Sequence, residues 1–352
     1  MRFRYLAVMP FQQPQHPAWY GSVMGTGSLS LVLITESQTW NQDWLTVAAV
    51  AALLLASALG VFLLPRYLSR FGNRFALMKE IANSNAGPML ATLPAGLLVL
   101  SAAWGRIGSE LVPTGLALWM AALLLAVGTL LVIAFSLTWA LAIMRSEIKL
   151  GDIHGGWLIP PVMNLLIPVA LSPLILANPN VSELFLIIGF GFYGIGVLLF
   201  LGMFSLLLAR MVLGNPFSGP LAPSLWIPLA PAGLIGLAAL RLQQAAQATH
   251  VSWLADSQGL AIVASAIGIG FGLWWAGFAF IEFRSIRKTG AAPVQPGWWG
   301  LVFPISALTL SIAALGQVTD IMAIQVTGAV GALIVAVCLS VVAKVTFTPI
   351  PK

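Results

Sequence analysis

From Trp44 to Leu64, and again from Gly115 to Ile143, the chain runs without one charged side chain. About 20 such residues in a helix cross the hydrocarbon core of a bilayer. A water-soluble domain has no means of burying a succession of stretches like these. The whole chain is 59% hydrophobic and 7% charged, where a soluble domain has roughly 25% charged residues. Ten apolar segments can be read, near 18–35, 44–64, 87–105, 115–143, 157–177, 183–209, 223–247, 257–282, 297–318 and 321–345. The sequence therefore predicts an all-α integral membrane protein with ten transmembrane helices.

Ten spans return the C-terminus to the side of the N-terminus. That side receives Arg2, Arg4, Arg66, Arg70, Arg74, Lys79, Arg145, Lys149, Arg210, Arg284, Arg287, Lys288, Lys344 and Lys352. Only Arg106 and Arg241 fall opposite, with Glu36, Asp43, Glu110, Glu183, Asp256 and Asp320. The positive-inside rule places both termini in the cytoplasm, in a cytoplasmic membrane. A net charge of +6 could otherwise point to nucleic acid. Spread over six short segments, the basic residues read as topology signals, and no nucleic acid is expected. Trp40, Trp44, Trp104, Trp157, Trp226, Trp253, Trp298 and Trp299 cluster near span ends, where interfacial anchors belong. The lead "MRFRYLAVMPFQQPQHP" has too short an apolar run for a signal-peptide core, and Pro10 interrupts it. Cys338 is alone, so neither a disulfide framework nor a cysteine metal site is expected, and no cofactor is implied.

Proline divides the spans into two classes. The odd spans hold Pro94; Pro160, Pro161 and Pro168; Pro228 and Pro231; and Pro304, while the interiors of the even spans read as free of it. "LPAGLLVLSAA" from Leu93, "APAGLIGLAAL" from Ala230 and "FPISALTLSIA" from Phe303 align, with "PPVMNLLIPVA" from Pro160. Pro94, Pro161, Pro231 and Pro304 are separated by 67, 70 and 73 residues, and a similar step back reaches Met24–Gly25 in "SVMGTGSLS". This predicts five repeated helical hairpins of about 70 residues, near 18–64, 87–143, 157–209, 223–282 and 297–345, in one domain spanning 1–352.

Helix-interior proline removes a backbone hydrogen bond and clashes with the preceding turn, at about 3 kcal/mol or more. Broken backbone at membrane depth is tolerated where it is buried in protein or lines a cavity. Five kinked odd helices are thus expected to form a quasi-fivefold ring around a central pore, with five straight helices outside. Pore-lining candidates are Met24, Gly25, Thr26, Leu93, Pro94, Pro160, Pro161, Asn164, Ala230, Pro231, Pro304 and Ser306. Met24, Leu93, Pro160, Ala230 and Phe303 should share one level, at which Phe303 is the one aromatic and the gate candidate.

"HPAWYGSVMGTGSLSLVL" in the first span and "GWWGLVFPISALTL" in the ninth resemble the tellurite-resistance/dicarboxylate transporter family. Its members include plant slow-type anion channels, fungal malate permeases and sulfite efflux pumps. The resemblance implies a ring of five hairpins around a pore, assembly as a homotrimer, and small anions, inorganic or carboxylate, as the solute. In the anion-channel branch a phenylalanine of the ninth helix occludes the pore, and "FP" maps it to Phe303. The lead here is short, so the regulated tails of the plant channels are not implied.

The rest of the chemistry is sparse. No ionisable group is expected at mid-depth, which argues against strict proton coupling, and basic residues are expected to crowd the cytoplasmic mouth. Ser22, Thr26, Ser28, Thr92, Asn164, Ser224, Ser306 and Thr309 could face a solute, or could bond their own backbone carbonyls. His154 lies in a loop, either solvated or at the cytoplasmic mouth. "GFGFYG" (Gly189, Gly191, Gly194) sits inside a span, where close helix packing accounts for it better than dinucleotide binding. "NVS" at Asn180 matches a glycosylation sequon and carries little weight without a secretory context. The expected function is an anion channel or channel-like exporter, passing weakly hydrated anions at least as well as chloride. The alternative is a secondary, possibly proton-coupled, transporter for C4-dicarboxylates such as malate, or for sulfite or tellurite. A membrane enzyme or scaffold is disfavoured by the absence of a catalytic constellation.

Overall fold

The computed structural model describes residues 16–214, 217, 219–288 and 296–347; Arg2, Arg4, Lys352 and most of the basic lead lie outside them. Within them the chain is all helix and loop. The long helices are α1 (Tyr20–Trp40), α2 (Asp43–Leu68), α3 (Thr92–Ile107), α4 (Thr114–Met144) and α5 (Ile159–Ala177). They continue with α6 (Ser182–Leu213), α7 (Leu229–Ala248), α8 (Gln258–Lys288), α9 (Trp299–Thr319) and α10 (Met322–Phe347). Among the described residues nine of these, α2 to α10, are long and apolar enough to cross a membrane. The exception, α1, has the length but holds Ser22, Thr26, Ser28, Ser30, Thr35, Glu36 and Ser37.

Burial separates the helices into two kinds. The apolar stretches of α3, α5, α7 and α9 are 83 to 94% buried, those of the even helices only 22 to 33%. Most of α1 is buried as well. Each odd helix packs on the even helix after it, and also on the odd helices before and after it, with α9 packing back against α1. The even helices turn apolar stripes outward. On α4, Leu116, Leu123, Leu130 and Leu137 repeat every seven residues, and on α8 so do Leu260, Ile267, Trp274 and Ile281.

Since lipid is as apolar as leucine, helices in a bilayer associate through close packing and interhelical hydrogen bonds. Both are present. A Cβ on Gly233 of α7 would lie 2.5 Å from the Ala307 carbonyl oxygen of α9, and one on Gly25 of α1 would lie 2.9 Å from Val302 Cγ1. Tyr20 Oη donates to the Gly60 carbonyl at 2.8 Å, joining α1 to α2. Gln317 Nε2 donates to the Thr35 carbonyl at 3.0 Å, joining α9 to α1. The turns after α1 and α9 are alike. Each helix ends on a residue in the left-handed region, Asn41 (φ 52) and Asp320 (φ 53), whose N–H reaches back to the carbonyl of Ser37 and of Gly316.

Three of the four aligned prolines play a different part from the expected kink, while Pro168 of α5, like Pro304 of α9, lies inside its helix. Every odd α-helix follows a short 3₁₀ segment: Pro17–Trp19, Gly87–Ala91, Gly155–Leu158, Gly219–Trp226 and Pro296–Trp298. Pro94, Pro161 and Pro231 then each occupy the third position of their α-helix. The first four N–H groups of a helix have no intrahelical partner, so proline there gives up nothing. In α1 and α9 the α-helix begins a turn earlier, which leaves Gly25 and Pro304 at the sixth position. Of the four aligned prolines only Pro304 removes a helical hydrogen bond. The even helices are not free of proline either, because α2 continues past Pro65 to Leu68.

Candidate functional site

Two cavities lie along the odd helices, one at each end. The first, of about 440 Å³, is lined by Met24 of α1, Thr92 of α3, Ile159 and Val162 of α5, Ala230 of α7, and Phe303 and Pro304 of α9. Its mouth is made by the segments ahead of those helices, with His16, Asn85, Met89, Leu221, Ser224 and Gly297 on its wall. The second, of about 390 Å³, lies at the opposite ends of the same five helices. Leu31, Arg106, Ser172, Arg241 and Leu310 represent α1, α3, α5, α7 and α9 in it, and Thr114 and Leu118 of α4 complete it.

Phe303 is 5% exposed and borders the first cavity with Met24 and Ala230. Seven residues further along α9, Leu310 borders the second. Met24 and Leu31 on α1, and Val162 and Val169 on α5, are spaced the same way. At 1.5 Å rise per residue, about 10 Å of packed side chains separates the cavities along these helices.

Of the other pore-lining candidates, Pro304 and Met24 share the first cavity with Ala230, while Leu93 and Pro94 do not. They line a separate pocket with Tyr67 of α2 and Leu131, Phe135 and Thr138 of α4. Alignment by proline put α3 out of phase by one residue, about 100° of rotation, and Thr92 takes the cavity position instead. On α5 the cavity residues are Ile159 and Val162, not Pro160, Pro161 or Asn164. Asn164 Nδ2 donates to the Pro160 carbonyl at 2.8 Å and to Ser136 Oγ of α4 at 3.4 Å, which turns it toward the outer helix. Gly25 serves the α1–α9 contact. Thr26, Pro231 and Ser306 are buried among the helices outside either lining.

Most of the small polar candidates bond backbone. Ser22 donates to the Trp19 carbonyl at 2.7 Å, Ser28 to Gly25 at 2.9 Å and Ser306 to Val302 at 2.8 Å. Thr92 and Ser224 do so while also lining the first cavity, and both tie segments distant in sequence together. Thr92 Oγ1 donates to the Pro17 carbonyl at 2.8 Å, and Ser224 Oγ accepts the Gly155 N–H at 3.2 Å. Trp104, Trp157, Trp298 and Trp299 are packing residues, at most 7% exposed, whereas Trp44 and Trp253 project as anchors should. Within "GFGFYG", Gly189 packs on Leu242 of α7 while Gly191 and Gly194 face open space.

Positive charge lines the second cavity and not the first. Among the described residues, no Lys or Arg lines the first cavity. His16 at its mouth is held below the ordinary histidine value, by burial first and then by the Arg70 charge. Among the described residues, the second cavity has two guanidinium groups and no carboxylate on its lining. Arg106 donates to Thr35 Oγ1 and to Gln38 Oε1, both at 3.0 Å, and Arg241 donates to Gln244 Oε1 at 3.0 Å. The sequence signal was available, since these were the two basic residues that broke the positive-inside pattern. A carboxyl was also missed: Glu36 is 2% exposed inside α1, which runs on to Trp40. Its Oε2 accepts the Trp40 indole N–H at 2.8 Å, and its Oε1 is buried without a partner.

His154 is neither solvated nor at the mouth. It is fully buried and caps the 3₁₀ turn into α5, its Nδ1 accepting the Gly156 N–H at 3.1 Å. That bond requires a neutral ring, and burial pushes the pKa down to about 4. The unfolded chain binds this proton near 6.5, so stability is complete above that pH and falls as pH drops from 6.5 toward 4, by about 3 kcal/mol in all. Melting temperatures in detergent at pH 7.5 and 5 should therefore differ less in His154→Asn, which keeps a capping oxygen, than in the wild type. An equal drop in both would remove His154 as the source.

The sequence matches a family model described as voltage-dependent anion channel over residues 15–347. Two uncharacterized transporters of Methanocaldococcus jannaschii are 29% and 28% identical over 318 and 306 residues, in each case 84% of this chain and 82% of the relative. A sulfite efflux pump of Arthroderma otae is 21% identical over 341 residues, 91% of this chain and 87% of the relative. The family match runs through all ten long helices and both cavities, and on it the chain belongs to the voltage-dependent anion channel family, the tellurite-resistance/dicarboxylate transporter group that its first and ninth spans resemble.

Proposed function

We propose that the protein is an anion channel of the cytoplasmic membrane, one domain over 1–352. Its ten spans form five helical hairpins in a quasi-fivefold ring, the odd helices line an axial pore, and Phe303 closes it. The observation that carries this reading is the pair of cavities: all five odd helices line both, and among the described residues no carboxylate lines either. The cyclic packing of α1, α3, α5, α7 and α9 supports the ring, and the recurrent 3₁₀ lead-in supports the repeat. Basic residues at the C-terminal ends of the even helices support cytoplasmic termini, with the first cavity on the cytoplasmic side. Family membership supports a homotrimer of such rings in the bilayer.

Purified protein in liposomes under a tenfold potassium chloride gradient should reverse near the anion equilibrium potential, a shift approaching about 59 mV. A reversal potential of the opposite sign would overturn the reading. One observation favours a second, proton-coupled carrier: the buried, half-unpartnered carboxyl of Glu36 between α1 and α10, in a chain related to a sulfite efflux pump. Uptake that requires a pH gradient at fixed voltage, and loses that requirement in Glu36→Gln, would select the carrier.

A further inference from the structure

Arginine inside a membrane-spanning segment is expensive and is ordinarily paired with a carboxylate or with backbone carbonyls. Arg106 and Arg241 are paired with neither. Among the described residues one ion pair is formed, Arg70 with Glu80, far from the second cavity in sequence. The two arginines bond only side-chain hydroxyl and amide oxygens, Thr35, Gln38 and Gln244, which satisfy N–H groups and leave the charge standing. Arg241 Nη2 is buried and has no partner at all. An arginine held for packing alone would have its donors used up, since a buried donor left unmade is costly, and more so on a charged group. The two side chains come from two different helices that line the cavity, α3 and α7, and the Arg241 charge bears on Arg106. Two like charges facing one space are stable together when an anion joins them.

We propose that Arg106 and Arg241 form a fixed-charge station in the second cavity that binds a small oxyanion, and that this station discriminates among the anions that pass. The inference rests on reading the two cavities as one anion pathway. Guanidinium presents parallel N–H groups in a planar fork that fits two oxygens of one anion, whereas a halide offers a single point acceptor. Arg241, with the unused Nη2, is the gripping member. Arg106, its terminal nitrogens anchored to α1, supplies charge from α3. A water molecule takes about 30 Å³ of liquid, so a cavity of about 390 Å³ admits an anion that keeps part of its shell. Partial hydration keeps the binding weak enough for release, as conduction demands.

The test compares nitrate with bromide, a halide of similar hydration, so that ease of dehydration is matched. In liposomes the wild type should favour nitrate in bi-ionic reversal potentials. Arg241→Gln should bring the nitrate-to-bromide permeability ratio toward one and raise the half-saturating nitrate concentration at least threefold. Arg241→Lys, which keeps the charge and loses the fork, should remain anion-selective while losing the nitrate preference. In detergent, nitrate should raise the wild-type melting temperature more than bromide at equal ionic strength, and Arg241→Gln should abolish the difference. An unchanged ratio and half-saturation in Arg241→Gln would overturn the station. If Arg241→Gln does not purify, a nitrate preference retained in Arg241→Lys overturns it equally. Wild-type protein that passes no anion current, yet shows the nitrate-specific thermal shift and loses it in Arg241→Gln, would keep the station and discard the channel.

Discussion

Phe303→Ala raises anion current through the reconstituted protein by an order of magnitude or more, with selectivity for anions over cations kept. The expectation follows from where the ring sits. Phe303 borders the first cavity beside Met24 and Ala230, at the near face of the packed layer that separates it from the second. That layer is about 10 Å thick along α1, α5 and α9, and an apolar constriction of this kind blocks ions by exclusion and dewetting. Pro304 gives the helix local freedom beside the ring. It removes the helical bond that the Gly300 carbonyl would receive, and Gly300 itself lines the first cavity, so α9 is loosened on its cavity side.

The competing account is that Phe303 is only core. Its 5% exposure fits that as well, and truncating a fully enclosed phenylalanine costs about 3–5 kcal/mol. The accounts part on what changes. A gate residue already borders empty space, so alanine enlarges an existing cavity, most stability is retained, and current rises. A core residue leaves a new void, the melting temperature falls, and current does not rise. Phe303→Leu should lie between wild type and alanine in current if ring size is what closes the path. Intact, stable Phe303→Ala protein conducting no better than wild type would remove the gate.

The long apolar helices were legible, nine of the ten with the length and composition to cross a membrane, because the bilayer imposes one rule on every spanning helix and apolar length reports it directly. Observed helices begin and end within a few residues of the runs read from sequence, except where α1 and α8 continue five or six residues past the apolar run and where a 3₁₀ lead-in delays the start of α3 and α7 by five or six. The odd–even division was also legible, for a reason other than the one it suggested. Proline marks helix starts at Pro94, Pro161 and Pro231, and of the four aligned prolines Pro304 alone lies inside a helix; Pro65 of α2 and Pro168 and Pro173 of α5 do so outside that alignment. Rotation was not legible. A single-residue slip turned Leu93 away from the cavity and hid Thr92, because proline spacing fixes axial position and says nothing of phase. Convergence was not legible either. Arg106 and Arg241 look like span-end residues in sequence, and only the packing of α3 and α7 around one cavity shows that their charges share a space.

Gly233→Ala should be among the most damaging single-methyl additions in the protein, and Gly191→Ala among the most harmless. At Gly233 the added Cβ would lie 2.5 Å from the Ala307 carbonyl oxygen, 2.6 Å from its carbon and 2.6 Å from the Leu308 nitrogen. These are backbone atoms of α9, which cannot rotate aside as a side chain would. Overpacking commonly costs about 1–3 kcal/mol, occasionally more, and a clash with main chain falls at the upper end. At Gly191 nothing lies within 4 Å, so the methyl meets no obstacle and alanine's better helix propensity gains up to about 1 kcal/mol. The α7–α9 contact also bears on function, since Ala230 and Phe303 lie about one turn toward the first cavity from Gly233 and Ala307. Forcing the helices apart there widens the layer at Phe303. Gly233→Ala should thus melt several degrees lower in detergent, and the fraction that reconstitutes should leak anions with Phe303 still present. Gly191→Ala should match the wild type or exceed it in stability and remain closed. A Gly233→Ala protein as stable and as tightly closed as wild type would mean that α7 and α9 do not meet at this distance, and the ring would have to be redrawn at that seam.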